Sequence, residues 1–114
     1  MSNLKMYIAV LDEFPDYMTP TLVAHAVLGA HQQVTQGYTN WNPHYIDWLV
    51  DSFKKCVLRV NQKEFDKICA LENVYLAHEN RTLEARKACA VVCPREEIPN
   101  VLKFAKLWKP KVIV

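Results

Sequence analysis

Two short and nearly unbroken apolar runs lie close to opposite ends of this chain of 114 residues. The first, Lys5–Leu11, reads KMYIAVL, and the second, residues 88–93, reads ACAVVC. A strand that is apolar on both faces must be covered on both faces, which occurs where helices pack on each side of a sheet. The two runs therefore predict the central strands of an α/β protein.

The segments between these runs carry helix and strand patterns in turn. Residues 18–34 are predicted to form a helix, because their apolar side chains recur at helical spacing and form one stripe. Thr19 is the predicted N-cap, and Pro20 stands at the first helical position. Asn61 followed by Glu64 is typical of a capping box at the start of a second helix. Further strands are predicted at residues 55–60 and 74–77, and a last amphipathic helix at residues 98–108.

This order predicts one domain over residues 1–114, an α/β layered sandwich whose four-stranded mixed sheet has helices on both faces. Residues 35–54 are rich in aromatic and turn-forming side chains, and Asn42-Pro43 can start a short helix there. We interpret this segment as a packed excursion, while stacking of its rings on a ligand remains the alternative.

Composition excludes several classes of protein. The net charge of +2 and the absence of a polybasic arm permit an anionic partner without requiring one, and two glycines exclude Rossmann and P-loop sites. No run reaches the roughly 20 apolar residues of a membrane span, and no secretory signal pattern is present, so we expect a cytoplasmic protein. No cofactor or metal is expected. The four cysteines, which form no CxxC pair, are predicted to be reduced and buried rather than zinc ligands: Cys56, Cys69, Cys89 and Cys93.

Two segments resemble the type 2 peptidyl-tRNA hydrolase family. KMYIAVLD followed by AHAVLGAHQQ is similar to that family's Lys-Met-apolar strand and its Ser-His-Ala-Ala-Leu-Gly-Ala helix. ENRTLEARKACAVVCP is similar to its Asp-Ala-Gly-Arg-Thr loop and final strand. The resemblance covers most of the chain apart from residues 35–54. It implies the family's fold and hydrolysis of an ester such as that of peptidyl-tRNA.

The same comparison of segments also shows departures from the family. The family's lysine-rich loop is replaced by DEFPDYMTP, so that Met18 or a close neighbour stands where a functional lysine is expected. Three acidic residues of this loop, Asp12, Glu13 and Asp16, would repel a phosphate backbone. His78 replaces the aspartate of the Arg-Thr loop. The chain therefore resembles a divergent member of the family.

Three residues are the predicted catalytic groups. His25 lies off the apolar stripe of its helix and is a candidate general base, and His78 is another, because a neutral imidazole suits this role near pH 7. Thr82 would position water or donate to the carbonyl oxygen. Each has a structural alternative: a hydrogen bond from His25 to a nearby loop, a solvated His78, or a turn formed by Thr82.

Three basic residues are the predicted substrate-binding groups. Arg81 would hold a phosphate, and Lys103 and Lys106 belong to a C-terminal lysine cluster that would contact a phosphate chain. The alternative for each is an ordinary solvated surface residue. The expected partner is tRNA or a small ligand, and a homodimer remains open.

Two functions remain open from the sequence. One is a divergent peptidyl-tRNA hydrolase-like enzyme, and the other is a catalytically inactive binding or regulatory module on the same fold. Both predict that His25, His78 and Thr82 share one cleft, with Arg81 at its rim.

Overall fold

The computed structural model describes residues 3–36, 42–79 and 86–111. Its described residues form a mixed sheet of five strands in the spatial order β3-β4-β1-β2-β5. β1 runs parallel to β2 and antiparallel to β4, so the two apolar runs are neighbours at the centre of the sheet, as predicted. The strands are β1 Lys5–Leu11, β2 Lys54–Val60, β3 Val74–Glu79, β4 Arg86–Val92 and β5 Lys106–Leu107.

Helices cover both faces of this sheet, which confirms the predicted layered arrangement. The helices are α1 Thr19–Val34, α2 Pro43–Asp47, α3 Gln62–Cys69 and α4 Asn100–Lys103, with a 3-10 helix at Asp16–Met18 and a π-helix at Trp48–Ser52. α1, α2 and the π-helix pack on one face, and α3 and α4 pack on the other. Within the three described ranges, no helix has the length and apolarity that a membrane crossing requires.

Side-chain alternation along β1 divides the core into two layers. Met6, Ile8 and Val10 face α1, whereas Ala9 and Leu11 face α3. All five are at most 3% exposed. Burial of each larger side chain contributes about 1.5–3 kcal/mol, so this one strand holds both helical layers on the sheet.

The aromatic segment after α1 is packed where the structure describes it. Tyr45 and Trp48 are each 1% exposed, and the Trp48 indole N–H donates to the carbonyl of Lys54 at 2.7 Å. The Tyr45 hydroxyl and the Nδ1 of His31 are 3.0 Å apart, which joins α2 to α1. The predicted packed excursion is confirmed for residues 42–54, while Tyr38 and Trp41 lie outside the described residues.

The two predicted helix starts have different outcomes. The Asn61 side chain accepts from the N–H of Glu64 at 2.8 Å, and the Glu64 side chain accepts from the N–H of Asn61 at 3.0 Å, so the capping box is confirmed. Thr19 is not an N-cap. The 3-10 helix leads directly into α1, the N-cap is Met18 without a side-chain hydrogen bond, and Thr19 is a buried helical residue.

The C-terminal prediction is wrong in one respect, which also changes the strand count from four to five. The predicted helix over residues 98–108 ends at Lys103, and Lys106–Leu107 instead pair antiparallel with β2. The free edge of β2 offers backbone partners that a longer helix would leave unpaired. The N–H of Trp108 takes one of them, donating to the Val57 carbonyl at 2.8 Å.

Gly29 lies where α1 packs against Tyr75 of β3. A Cβ atom at this position would lie 2.6 Å from Cζ of Tyr75, and closer still to its hydroxyl oxygen. An unhindered Gly→Ala change in a helix stabilises a protein by about 1 kcal/mol. We expect Gly29→Ala to destabilise this one by about 1–3 kcal/mol instead, because the tyrosine ring must move.

A double-mutant cycle measured by urea unfolding tests this expectation. In a Tyr75→Val background the clash is absent, and Gly29→Ala should become neutral or stabilising. An equal loss of stability in both backgrounds would show that the tyrosine is not the cause.

The four cysteines are free thiols that differ in burial. Cys89 is fully buried, which raises its pKa to about 12, and Cys93 is buried just after β4. Cys56 and Cys69 are half-buried. The predicted burial is therefore complete for two of the four.

Alkylation of the native protein with iodoacetamide should follow this order, since a buried neutral thiol is inert. Peptide mass spectrometry should find Cys56 and Cys69 modified first and Cys89 and Cys93 only after denaturant is added. Rapid native labelling of Cys89 would contradict the described packing.

Candidate functional site

The carboxyl ends of β1 and β3 lie at the same edge of the sheet. Both strands run antiparallel to β4, so both end at the same side of the sheet. The start of α1, the start of α3 and the backbone of His78 therefore lie at this end of the molecule. Ligands of open α/β sheets commonly bind beyond the carboxyl ends of parallel strands.

Arg59, the last-but-one residue of β2, organises the loop that follows β1. Its guanidinium donates to Asp12 at 2.7 Å and makes a two-pronged contact with Asp16 at 2.9 and 3.0 Å. It also donates to the carbonyl of Lys109 at 2.6 Å and lies 4.9 Å from the ring centroid of Trp108. One side chain thereby joins β2, the β1–α1 loop and the C-terminal segment.

Lys111 completes this Arg59 cluster. Its backbone N–H donates to Asp16 at 2.8 Å, and its ammonium lies 3.3 Å from Asp12. Hydrogen bonds from Arg59, supported by Lys111, lower the pKa of both Asp12 and Asp16 below the usual 3.8. Asp16 in turn raises the pKa of Arg59. Two of the three acidic residues that were predicted to repel phosphate are therefore already neutralised by cations.

His25 is exposed and lies off the buried stripe of α1, as predicted. Gly29, one turn further along the helix, faces Tyr75 of β3. Because residues four apart share a helix face, we expect His25 near the flank of α1 that faces β3. β3 is the edge strand that leads to residues 80–85.

Only part of the predicted catalytic set can be located. The backbone of His78 pairs with Lys87 across a register shift next to Ala77, an irregularity that often accompanies functional sites. The side chain of His78 is not described, and Arg81 and Thr82 lie outside the described residues. A shared cleft with His25 therefore stays a prediction.

The predicted substrate-binding lysines lie away from His25. Lys103 ends α4 on the α3 face, and Lys106 lies on β5, at the opposite edge of the sheet from β3. Four strand spacings separate β3 from β5, about 19 Å. Both lysines are exposed, and in the described part of the chain no carboxylate forms an ion pair with either of them.

The Arg59 cluster was not predicted from the sequence. An arginine in the otherwise apolar end of a strand was the available signal, but its partners lie 43 to 50 residues away in the chain. His44, assigned to no cluster from the sequence, lines a cleft at the other end of the sheet.

The Arg59 cluster predicts a defined loss of stability in acid. A carboxyl group with a lowered folded-state pKa binds fewer protons in the folded protein than in the unfolded chain. Its contribution to the free energy of unfolding is therefore complete above the unfolded-state pKa. That contribution is lost as the pH falls below about 4 and through the lowered folded-state pKa of each carboxyl group. Asp16→Asn should therefore reduce the dependence of the unfolding free energy on pH in this range.

Urea unfolding followed by fluorescence at several pH values between about 2 and 7 measures this dependence. Asp47→Asn serves as the control, since the same chemical change there removes no contact with Arg59. Equal pH dependence in wild type and Asp16→Asn would contradict the role of the cluster.

Comparison with known proteins assigns the chain to no family. No family model matches it, and no curated protein matches it either. The likeness to type 2 peptidyl-tRNA hydrolases thus depends on the two sequence segments quoted above. The function suggested by that likeness is accordingly argued as a proposal.

Proposed function

We propose that the protein hydrolyses an ester linked to tRNA, at the end of the sheet where β1 and β3 finish. One observation carries this proposal. The two sequence segments that resemble the hydrolase family pack against each other, because β1 pairs with β4 and α1 packs on β3 and β4. Gly29, one helical turn from His25 on α1, faces Tyr75 of the strand that leads to Thr82.

In the proposed reaction, His25 or His78 accepts a proton from a water molecule. The resulting hydroxide attacks the ester carbonyl carbon, and the bond from that carbon to the ribose oxygen breaks. The ribose oxygen takes back a proton, which leaves a free carboxylic acid and tRNA. Thr82 positions the water or donates to the carbonyl oxygen, and Arg81 holds a phosphate.

The electrostatics of the described residues support an anionic substrate. Asp12 and Asp16 are paired with Arg59 and Lys111, so the β1–α1 loop carries little uncompensated negative charge. The adjoining C-terminal segment presents exposed lysines without an ion-pair partner among the described residues. They are Lys103, Lys106 and Lys109. Such a strip suits the phosphate chain of a large substrate that extends across the sheet, since β5 lies four strand spacings, about 19 Å, from β3.

The second candidate is a binding module without catalysis. The observation that favours it is Met18, which packs against the α3-face core where the resemblance implies a functional lysine. A thioether can neither hold a phosphate nor move a proton, so the family's chemistry would have to proceed without that group.

One experiment distinguishes the two candidate functions. Purified protein is incubated with an N-acetylated aminoacyl-tRNA, and release of the acyl group is followed. If the protein is an enzyme, His25→Ala should lower turnover by about 10²-fold or more. The melting temperature should hardly change, because the side chain is exposed.

Gln32→Ala, a change at another exposed site on the same helix, is the control and should retain full turnover. A binding module would show no turnover, and its affinity for tRNA would fall in His25→Ala. No turnover together with unchanged tRNA binding in His25→Ala would remove both candidates.

A further inference from the structure

A cleft lies at the end of the sheet where β1 and β2 begin, opposite the end that carries the Arg59 cluster. It has a volume of about 840 Å³, within the usual range for small-molecule sites. Its walls are the first residues of β1 and β2, the outer side of α2 and the π-helix, and the segment after β4. It shares no lining residue with the Arg59 cluster or with the predicted catalytic set. Its charged lining residues are Lys5, Lys54, Arg95, Asp47, Asp51 and Glu96, with His44 beside them.

Two lysines are held side by side in this cleft by the strand register. Lys5 of β1 is paired with Lys54 of β2, and paired residues of parallel strands lie on the same face. The next pair on that face, Tyr7 and Cys56, packs against the α3-face core. Like charges on adjacent strands destabilise a sheet unless something compensates them. In the three described ranges, neither lysine forms an ion pair with a carboxylate.

Arg95 adds a third cation to the lining of the cleft. One end of its guanidinium donates to the carbonyl of Glu72, which fixes the side chain against the α3–β3 connection. Its Nε is buried and has no hydrogen-bond partner among the described residues. A buried donor without a partner is costly, and in native proteins it commonly marks a place where water or a ligand is bound. Arg95 also lines the cleft, so its guanidinium and the two lysines can hold one oxyanion together.

The carboxylates restrict what that anion can be. Asp47 and Asp51 project from the helical wall, and Glu96 follows Arg95, so a long polyanion would meet repulsion on two sides. A small molecule with one anionic group and a separate amine or hydroxyl donor fits both halves of the lining. Tyr7 and Ile98 supply apolar contact between these halves.

We propose that this cleft binds a small molecule carrying one phosphate or carboxylate group together with an amine or hydroxyl donor. Lys5, Lys54 and Arg95 hold the anionic group, and the carboxylate of Asp47 on the helical wall accepts from the donor. This site is independent of the proposed hydrolase activity.

Three matched probes test the proposal on the full chain by two-dimensional NMR titration. O-phosphoethanolamine and β-alanine share an amine and differ in the anionic group, so they distinguish a phosphate from a carboxylate ligand. Ethanolamine lacks the anion. We expect saturable shifts of the amides near Lys5, Lys54 and Arg95 with at least one anionic probe, at a Kd of about 1 mM or below, and none with ethanolamine.

Matched lysine variants locate the anion. Lys54→Gln should raise the Kd of the bound probe about tenfold. Lys55→Gln removes the same charge from the neighbouring residue, which contacts Phe53 on the other face, and should leave the Kd unchanged. The proposal is overturned if neither anionic probe shifts these amides, if ethanolamine shifts them equally, or if both variants weaken binding alike.

Discussion

The pairing of β1 on both of its edges is the constraint on which the rest of the structure depends. Its backbone is bonded to β2 on one side and β4 on the other, and its side chains are buried in two separate cores. From Ile8 to Leu11, no edge or face of this strand is left for a ligand. Polar chemistry in this protein is therefore confined to the two ends of the sheet, and each end carries one of the two sites argued above.

Much of the fold could be predicted from the sequence because its determinants are local. The bounds of β1 follow from a single apolar run, and the capping box of α3 lies within four residues. The C-terminal segment could not be predicted in the same way. Its apolar spacing suits a helix, but the available edge of β2 decides its conformation, and that edge exists only in the assembled sheet.

Prediction of the candidate site was limited for the same physical reason. Periodicity alone showed that His25 lies off the core stripe of α1, and the structure confirms it. Periodicity could not show that Asp12 and Asp16 would meet Arg59, since an ion pair between distant segments leaves no repeat in the sequence. The acidic loop consequently suggested repulsion of phosphate, while the structure shows charges that are largely compensated. The C-terminal segment adds the exposed lysines Lys106 and Lys109 beside that loop.

The contact between Lys111 and Asp16 spans 95 residues and has a consequence for synthesis on the ribosome. A chain emerges amino end first, so the β1–α1 loop leaves the exit tunnel long before the segment that neutralises it. Until residues 106–111 have been synthesised, Asp12 and Asp16 can be paired only through Arg59, and the outer edge of β2 is unprotected. An unpaired strand edge invites association with other chains. Residues 106–111 therefore close both the exposed edge and the acidic loop, and a nascent chain that stalls before them retains an aggregation-prone surface.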